Sequence, residues 1–322
     1  MIRLATVAAL AGLALAIVLV VREGLDEVLA ALAVGGVGLV WASLFHLVPM
    51  IVNAKAWQIL VPGHRPPSLV FMTWLVWIRE AVNGLLPVAR VGGEIISARL
   101  LTVDGLRLSP AVASLILDMT LSLITQFLFT MLGMGLLSFY SDDAHTVLRI
   151  SLGLAATAPI FVALVLVQRY GLFRVLSLPV KLLAGQRWAQ LNVGSRRLDR
   201  AVAIGYRRRG RLLRSALWQF AAWVAGAGEI WLALYYLGHP VSLGEALTLE
   251  ALAQAVSSIA VVVPAALGVQ EGGFLLFGTL LGLGPEIALA LALARRVRDL
   301  IVYVPALIAL QLSEGRRVLK GA

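Results

Sequence analysis

The stretch TWLVWIREAVNGLLPVARVGGEIISAR, Thr73–Arg99, decides how this chain folds. It is apolar enough to enter a bilayer, yet it holds Arg79, Glu80, Asn83, Arg90 and Glu94, and it is broken by Gly84, Pro87, Gly92 and Gly93. Inside a bilayer, non-helical backbone is tolerated only where protein or a water-filled cavity satisfies the freed N–H and C=O groups. A second stretch, VVVPAALGVQEGGF at Val261–Phe274, breaks in the same way. Glu94 follows Pro87 by seven residues, and Glu271 follows Pro264 by seven, with glycines inside both windows. Two interrupted apolar segments at corresponding places in two halves are the sequence mark of a transporter-type site. The bland alternative is a pair of extramembrane turns punctuated by Gly and Pro, but the flanking residues are too apolar for a solvated loop.

Hydrophobic side chains make up 60% of the 322 residues and charged ones 14%, and the mean hydropathy is +0.92. This is the composition of an all-α polytopic membrane protein, and residues 1–322 read as a single transmembrane domain. Cysteine is absent, which removes disulfides, thiolate nucleophiles and Cys-based metal sites. His46, His64, His145 and His239 lie at no metal-ligand spacing, so neither a metal nor a cofactor is expected. The net charge of +10 is concentrated: between Arg169 and Arg211, eleven Lys or Arg face one acid, Asp199. A basic loop beside membrane helices is the positive-inside signal and can hold anionic headgroups; nucleic acid is not the expected partner.

Charge also sets the topology. Leu4–Val21 is uncharged and reads as a retained first span, because Arg22-Glu23 follows it directly where a cleavage site would stand. Residues 22–27 carry an acidic excess and belong outside, and Ala31–Leu60 returns inside with Trp41 and Trp57 as interface anchors. The turn PGHRPP at 62–67 is then cytoplasmic. The apolar run 111–139 ends at Asp142 and Asp143, outside, so residues 68–109 must begin and end inside as a first re-entrant region. Residues 147–168 come back to the basic loop 169–211, which is expected in the headgroup region, and 212–237 leads out. The final run, 287–312, ends near Arg316, Arg317 and Lys320, inside. Residues 242–284 must therefore start and finish outside as a second re-entrant region. The expectation is about six spanning helices plus two re-entrant hairpins inserted from opposite faces, an inverted pseudo-repeat with both termini cytoplasmic.

An ionisable side chain at mid-membrane costs about 2.5–3.5 kcal/mol on insertion scales, so each one asks for a reason. Beyond the first hairpin these are Asp118, Glu229, Glu250, Glu271, Arg295, Arg296, Arg298 and Asp299. Structural pairing accounts for any one of them; the set asks for a shared wet cavity. Arginine donates two parallel hydrogen bonds to a phosphate, and a half-helix starting at Gly92-Gly93 would aim free N–H groups the same way. The candidate substrate site comprises Arg79, Glu80, Asn83, Arg90, Gly92, Gly93, Glu94, Arg99 and Asp118 from the first half. From the second it comprises Glu250, Gln254, Gly268, Gln270, Glu271, Arg295 and Arg298, with Pro87 and Pro264 as the breaks. Glu94 and Glu271 would serve as an acid–base pair if they met, but no nucleophile–base pair or cofactor loop accompanies them, so an enzyme is not expected. The clusters Gly35-Gly36-Val37-Gly38 and Ala225-Gly226-Ala227-Gly228 read as helix packing surfaces.

NGLLPVARVGGEIISARLL (Asn83–Leu101) and VVVPAALGVQEGGF resemble the two signature stretches of the flippase-like family named after the transmembrane region of lysylphosphatidylglycerol synthase. The length and the first motif are most similar to members associated with hopanoid biosynthesis. The resemblance implies that Arg90, Gly93, Glu94 and Arg99 match the first motif, that Pro264, Gly268 and Glu271 match the second, and that Asp118 matches an acid in the following helix. Two departures stand out: Leu115-Ile116-Leu117 where the family often has Glu-Arg, and Ala265-Ala266 where it often has paired glycines. The chain ends at Ala322 without the aminoacyltransferase domain of the synthases, so the resemblance implies a lipid mover. The function expected is a lipid flippase or transporter of the bacterial inner membrane, moving a lipid with a polar or anionic headgroup, hopanoid-type or lipid-linked. Membrane lipids and lipid-biosynthesis enzymes are its expected partners. A lipid-modifying transferase and a secondary transporter of a small solute are the alternatives.

Overall fold

The computed structural model describes residues 25–63, 66–86, 92–140, 152, 188–259 and 268–321, and all regular structure among them is helical. In chain order the helices are α1 (Leu25–Gly35), α2 (Gly38–Phe45), α3 (Leu47–Leu60), α4 (Leu69–Leu85), α5 (Gly92–Val103) and α6 (Leu108–Tyr140). They continue with α7 (Trp188–Arg207), α8 (Arg209–Tyr236), α9 (Leu243–Ile259), α10 (Val269–Leu280) and α11 (Pro285–Gly321). The run Leu4–Val21, both proline breaks, Arg90, the acidic loop at 142–143, the run 147–168 (Leu152 apart) and residues 169–187 of the basic loop lie outside the described residues.

The run 31–60, expected as one span, is divided. Gly36 adopts φ +44°, a left-handed conformation that glycine reaches without steric cost, and it ends α1. The junction between α2 and α3 falls at His46. Pro49 explains it: proline has no N–H to offer the carbonyl four residues back and its ring crowds that carbonyl. Gly38 and Gly228 do form packing surfaces, since a methyl on Gly38 would overlap the Tyr236 ring and one on Gly228 would press on Phe45. Gly36 is instead a turn. Two helical stretches among the described residues are long and apolar enough to cross a membrane, Gly38–Leu60 and Leu108–Tyr140.

Two units repeat the same order, with equal lengths in their first two helices. In the first, α4 has 17 residues, α5 has 12 and the long α6 has 33. In the second, α9 has 17, α10 has 12 and the long α11 has 37. Both units begin at a serine cap. The Ser68 hydroxyl accepts from the Phe71 N–H at 3.2 Å. The Glu245 N–H donates to the Ser242 hydroxyl at 3.2 Å while the Ser242 N–H donates to the Glu245 carboxylate at 2.7 Å, a reciprocal capping box. Both short helices carry an acid as their third residue, Glu94 in α5 and Glu271 in α10, where the positive end of the helix dipole favours negative charge.

The apolar core is in two main parts. One gathers Val28, Ala42, Leu137, Leu234, Leu249, Phe274, Ile287 and Leu289–Ala292. The other gathers Met50, Trp57, Met72, Leu75, Leu101, Ala111, Val302, Tyr303 and Ala306. Along α11 the first part ends at Ala292 and the second begins at Val302. The four charges Arg295, Arg296, Arg298 and Asp299 fall in the gap. His46 falls in the same gap on the α2–α3 side, between Ala42 and Met50.

Candidate functional site

The long helices α6 and α11 each place a buried charge at their eleventh residue, Asp118 and Arg295. Each charge is met from the first arm of its own unit. Arg79 on α4 donates to Asp118 Oδ2 at 2.7 Å and to Asn53 Oδ1 at 2.9 Å, with its guanidinium 5.0 Å from the Trp57 ring centroid. Arg295 on α11 donates to Glu250 Oε1 on α9 at 2.8 Å and lies over Phe274 at 5.5 Å. The two units thus build the same buried pair with the signs reversed.

Glu229 of α8 joins the units. Its Oε2 accepts from Arg298 Nη1 at 3.0 Å and lies 2.7 Å from His46 Nδ1, and its Oε1 is 3.8 Å from Arg295 Nε. The other ring nitrogen of His46 is 3.3 Å from Glu80 Oε2 of the first unit, which also accepts from the Tyr303 hydroxyl at 3.3 Å. Arg298 Nη2 is 3.0 Å from Asp299, and Arg296 Nε donates to Glu271 Oε1 of α10 at 2.8 Å. The charged segment of α11 therefore faces both units: Tyr303 donates to Glu80 on α4 of the first unit, and Arg296 donates to Glu271 on α10 of its own. Gln254 adds a hydrogen bond to Glu250 Oε1 at 3.1 Å.

The start of α5 lies against the backbone of α4. A methyl on Gly93 would overlap the Arg79 carbonyl oxygen, which only a residue without Cβ permits at this distance. The Gly93 N–H donates to Asn83 Oδ1 at 2.9 Å, and the Asn83 amide donates to both Glu94 oxygens at 3.1 Å. The start of α5 is thus capped from α4, and the N–H of Gly93, expected to be free for a headgroup, is occupied. Arg99 is exposed on α5, Gln270 is half-buried, and Gly268 is buried, at φ +72° heading α10.

Four arginines (79, 295, 296, 298) share this centre with seven carboxylates (Glu80, Glu94, Asp118, Glu229, Glu250, Glu271, Asp299) and His46 among the described residues. Asp118 Oδ1, Glu250 Oε2 and Glu271 Oε2 are buried and accept no hydrogen bond from the described residues. Among the described residues the centre is acid-rich, and Arg79, Arg295, Arg296 and Arg298, expected to be open to a headgroup or left unplaced, each meet a carboxylate. The space against Glu229, Arg295 and Arg298 measures about 10 Å³, room for a water and no more. Sequence reasoning flagged Glu229, Arg296 and Asp299 as membrane charges without placing them in the site, and it missed His46, Asn53 and Tyr303. The available signal was the spacing: His46, Asn53 and Trp57 recur on one helical face.

A family model described as the lysylphosphatidylglycerol synthase TM region matches residues 4–306. The chain belongs to that family. No curated protein and no solved structure matches it. Membership of the lysylphosphatidylglycerol synthase transmembrane family makes it a lipid-related protein located in a membrane, and the two broken units supply the polar interior that such a protein needs.

Proposed function

We propose that the protein moves a lipid with a polar or anionic headgroup across the bacterial inner membrane, through the charged layer between its two broken units. One observation carries this reading: a network of charges in the gap between two apolar cores joins Glu80 of the first unit through His46 and Glu229 to Arg295, Arg298 and Glu250 of the second, with the Arg79–Asp118 pair buried beside Trp57. A static fold has little use for so many paired charges, since buried ion pairs are often no more stabilising than well-packed apolar residues of the same volume. In this mechanism a headgroup phosphate takes the arginines and the displaced carboxylates take protons, so that loading and proton uptake are linked. Arg79 exchanges Asp118 for the headgroup in the first unit, and Arg295 exchanges Glu250 in the second. The tails remain in lipid. The lipid is of the hopanoid or lipid-linked class that the sequence suggests, and no chemistry is performed on it.

The topology that fits this reading has about six spans, two re-entrant regions (68–109 and 242–284) inserted from opposite faces, and both termini cytoplasmic. The chain has no cysteine, so single cysteines can be placed without background. Labelling with a membrane-impermeant maleimide is expected to find Asp142→Cys and Arg208→Cys on opposite sides; the same side for both would overturn the topology. Function is tested in proteoliposomes carrying a fluorescent phosphatidylglycerol, read by quenching of the outer leaflet. Protein-dependent exchange between leaflets is the expected result. Covalent modification of the lipid by purified protein and a donor would favour a transferase, and uptake of a water-soluble solute without lipid exchange would favour a solute transporter.

A further inference from the structure

A second cavity, about 160 Å³, lies away from the charged network, where the end of α3, the start of α6, α7 and the start of α8 meet. Its walls are apolar carbon from Leu60, Pro62, Ala113, Leu117, Ile204 and Leu212, and Arg208 and Arg211 complete them. No acidic residue lines it, and neither guanidinium meets a carboxylate within ion-pair distance among the described residues. Ile204 and Arg208 are exposed, so the cavity reaches the surface. The end of α3, the first turn of α6 and the α7–α8 junction at Arg208 meet here, so the cavity lies where helices end.

The local backbone sharpens the point. Arg208 (φ −86°, ψ +60°) breaks the chain between α7 and α8, and α8 starts with no side-chain cap and no acid in its first turn. Arg209 and Arg211 instead add positive charge to the positive end of the helix dipole, an arrangement that is unfavourable unless an anion sits against it. Gly205 closes the wall: a methyl there would overlap Leu117.

We propose that this cavity is a docking site for one anionic phospholipid, with its phosphate on Arg208 and Arg211 and part of an acyl chain between α6 and α7. The pairing of an apolar slot with two guanidinium groups that meet no carboxylate among the described residues fits a phospholipid better than a free anion, which would gain nothing from the apolar walls, and better than a neutral lipid, which would gain nothing from the arginines. Resting on the lipid-mover reading above, it names where the substrate class first engages.

The test uses the full chain in nanodiscs of phosphatidylcholine containing a photoactivatable phosphatidylglycerol, with labelled peptides mapped by mass spectrometry. Labelling is expected on the segments around Leu117 and Ile204. The double variant R208Q/R211Q, at an exposed and a half-buried position, is expected to lower that labelling tenfold or more, since a single lost charge-assisted hydrogen bond already accounts for a factor of about ten. Ala201→Leu, which fills the cavity and leaves the charges, is expected to lower it as well. Equal labelling by a photoactivatable phosphatidylcholine with the same chains, or no change in R208Q/R211Q, would overturn the proposal. Labelling here with no lipid exchange in proteoliposomes would leave the docking site standing and remove the flippase reading, so the two fail separately.

Discussion

Replacing Glu229 with alanine is expected to produce the largest loss of stability of any single substitution in the charged network. Its two oxygens serve His46, Arg295 and Arg298 at once, and both arginines are buried. Removing one partner of a buried ion pair costs about 3–5 kcal/mol, because the charge left behind is uncompensated. Against a total stability of about 5–15 kcal/mol, that is enough to empty the folded state at moderate temperature. Glu229→Gln keeps the shape and two hydrogen-bonding atoms and is expected to fall between alanine and the native chain. Thermal unfolding of detergent-solubilised protein, followed by loss of the monodisperse peak in size-exclusion chromatography, gives the comparison. A Glu229→Ala protein as heat-resistant as the native one would mean that Glu229 does not hold the centre together.

The second large effect is expected from Gly93→Val. The Cβ would meet the Arg79 carbonyl oxygen and both terminal atoms of Asn83. A backbone carbonyl cannot swing aside as the end of a flexible side chain can, so α4 and α5 must separate. Overpacking of this kind costs about 1–3 kcal/mol, but the functional loss is expected to exceed the stability loss, because α4 carries Arg79 and Glu80 with it. Lipid exchange should fall to the level of empty vesicles while the protein can still be purified. Gly135→Ala is the matched control. It lies within α6 with open space around it, and alanine there is expected to be neutral or to stabilise by about 0.5–1 kcal/mol. If Gly93→Val exchanged lipid at the native rate, the close contact between the two arms would have no functional role.

The two predictions draw on features of different legibility. Pro87 and Pro264, each seven residues before an acid, pointed to two matching segments; the prolines lie outside the described residues, and the helices on either side of them pair in length, α4 with α9 and α5 with α10. Glu94 and Glu271 were legible because an acid beside glycines at a helix start has a physical reason to be there. The partnering was not legible. Nothing local in the sequence says that Arg79 meets Asp118 while Arg295 meets Glu250, since the contacts span 39 and 45 residues and depend on how helices cross. His46 was harder still. Its role depends on contacts with Glu229, 183 residues away, and Arg298, 252 away. A lone histidine in an apolar helix gives no sign of them. The division of the run 31–60 was foreshadowed by Gly36 and Pro49, yet uninterrupted hydropathy masked it. Closure of the centre is a matter of side-chain reach: arginines that read as open to a headgroup are long enough to fold onto the nearest carboxylates.

That closure makes the charge exchange at Arg79 and Asp118 the central claim, and one variant isolates it. Arg79→Gln combined with Asp118→Asn removes both charges together, leaves no uncompensated ion, and keeps two polar side chains of similar size in contact. The expected result is a protein that purifies and unfolds like the native chain but exchanges fluorescent phosphatidylglycerol between leaflets about tenfold more slowly or worse, the scale set by losing one charge-assisted clamp. Native exchange rates from this folded, neutral pair would contradict the account.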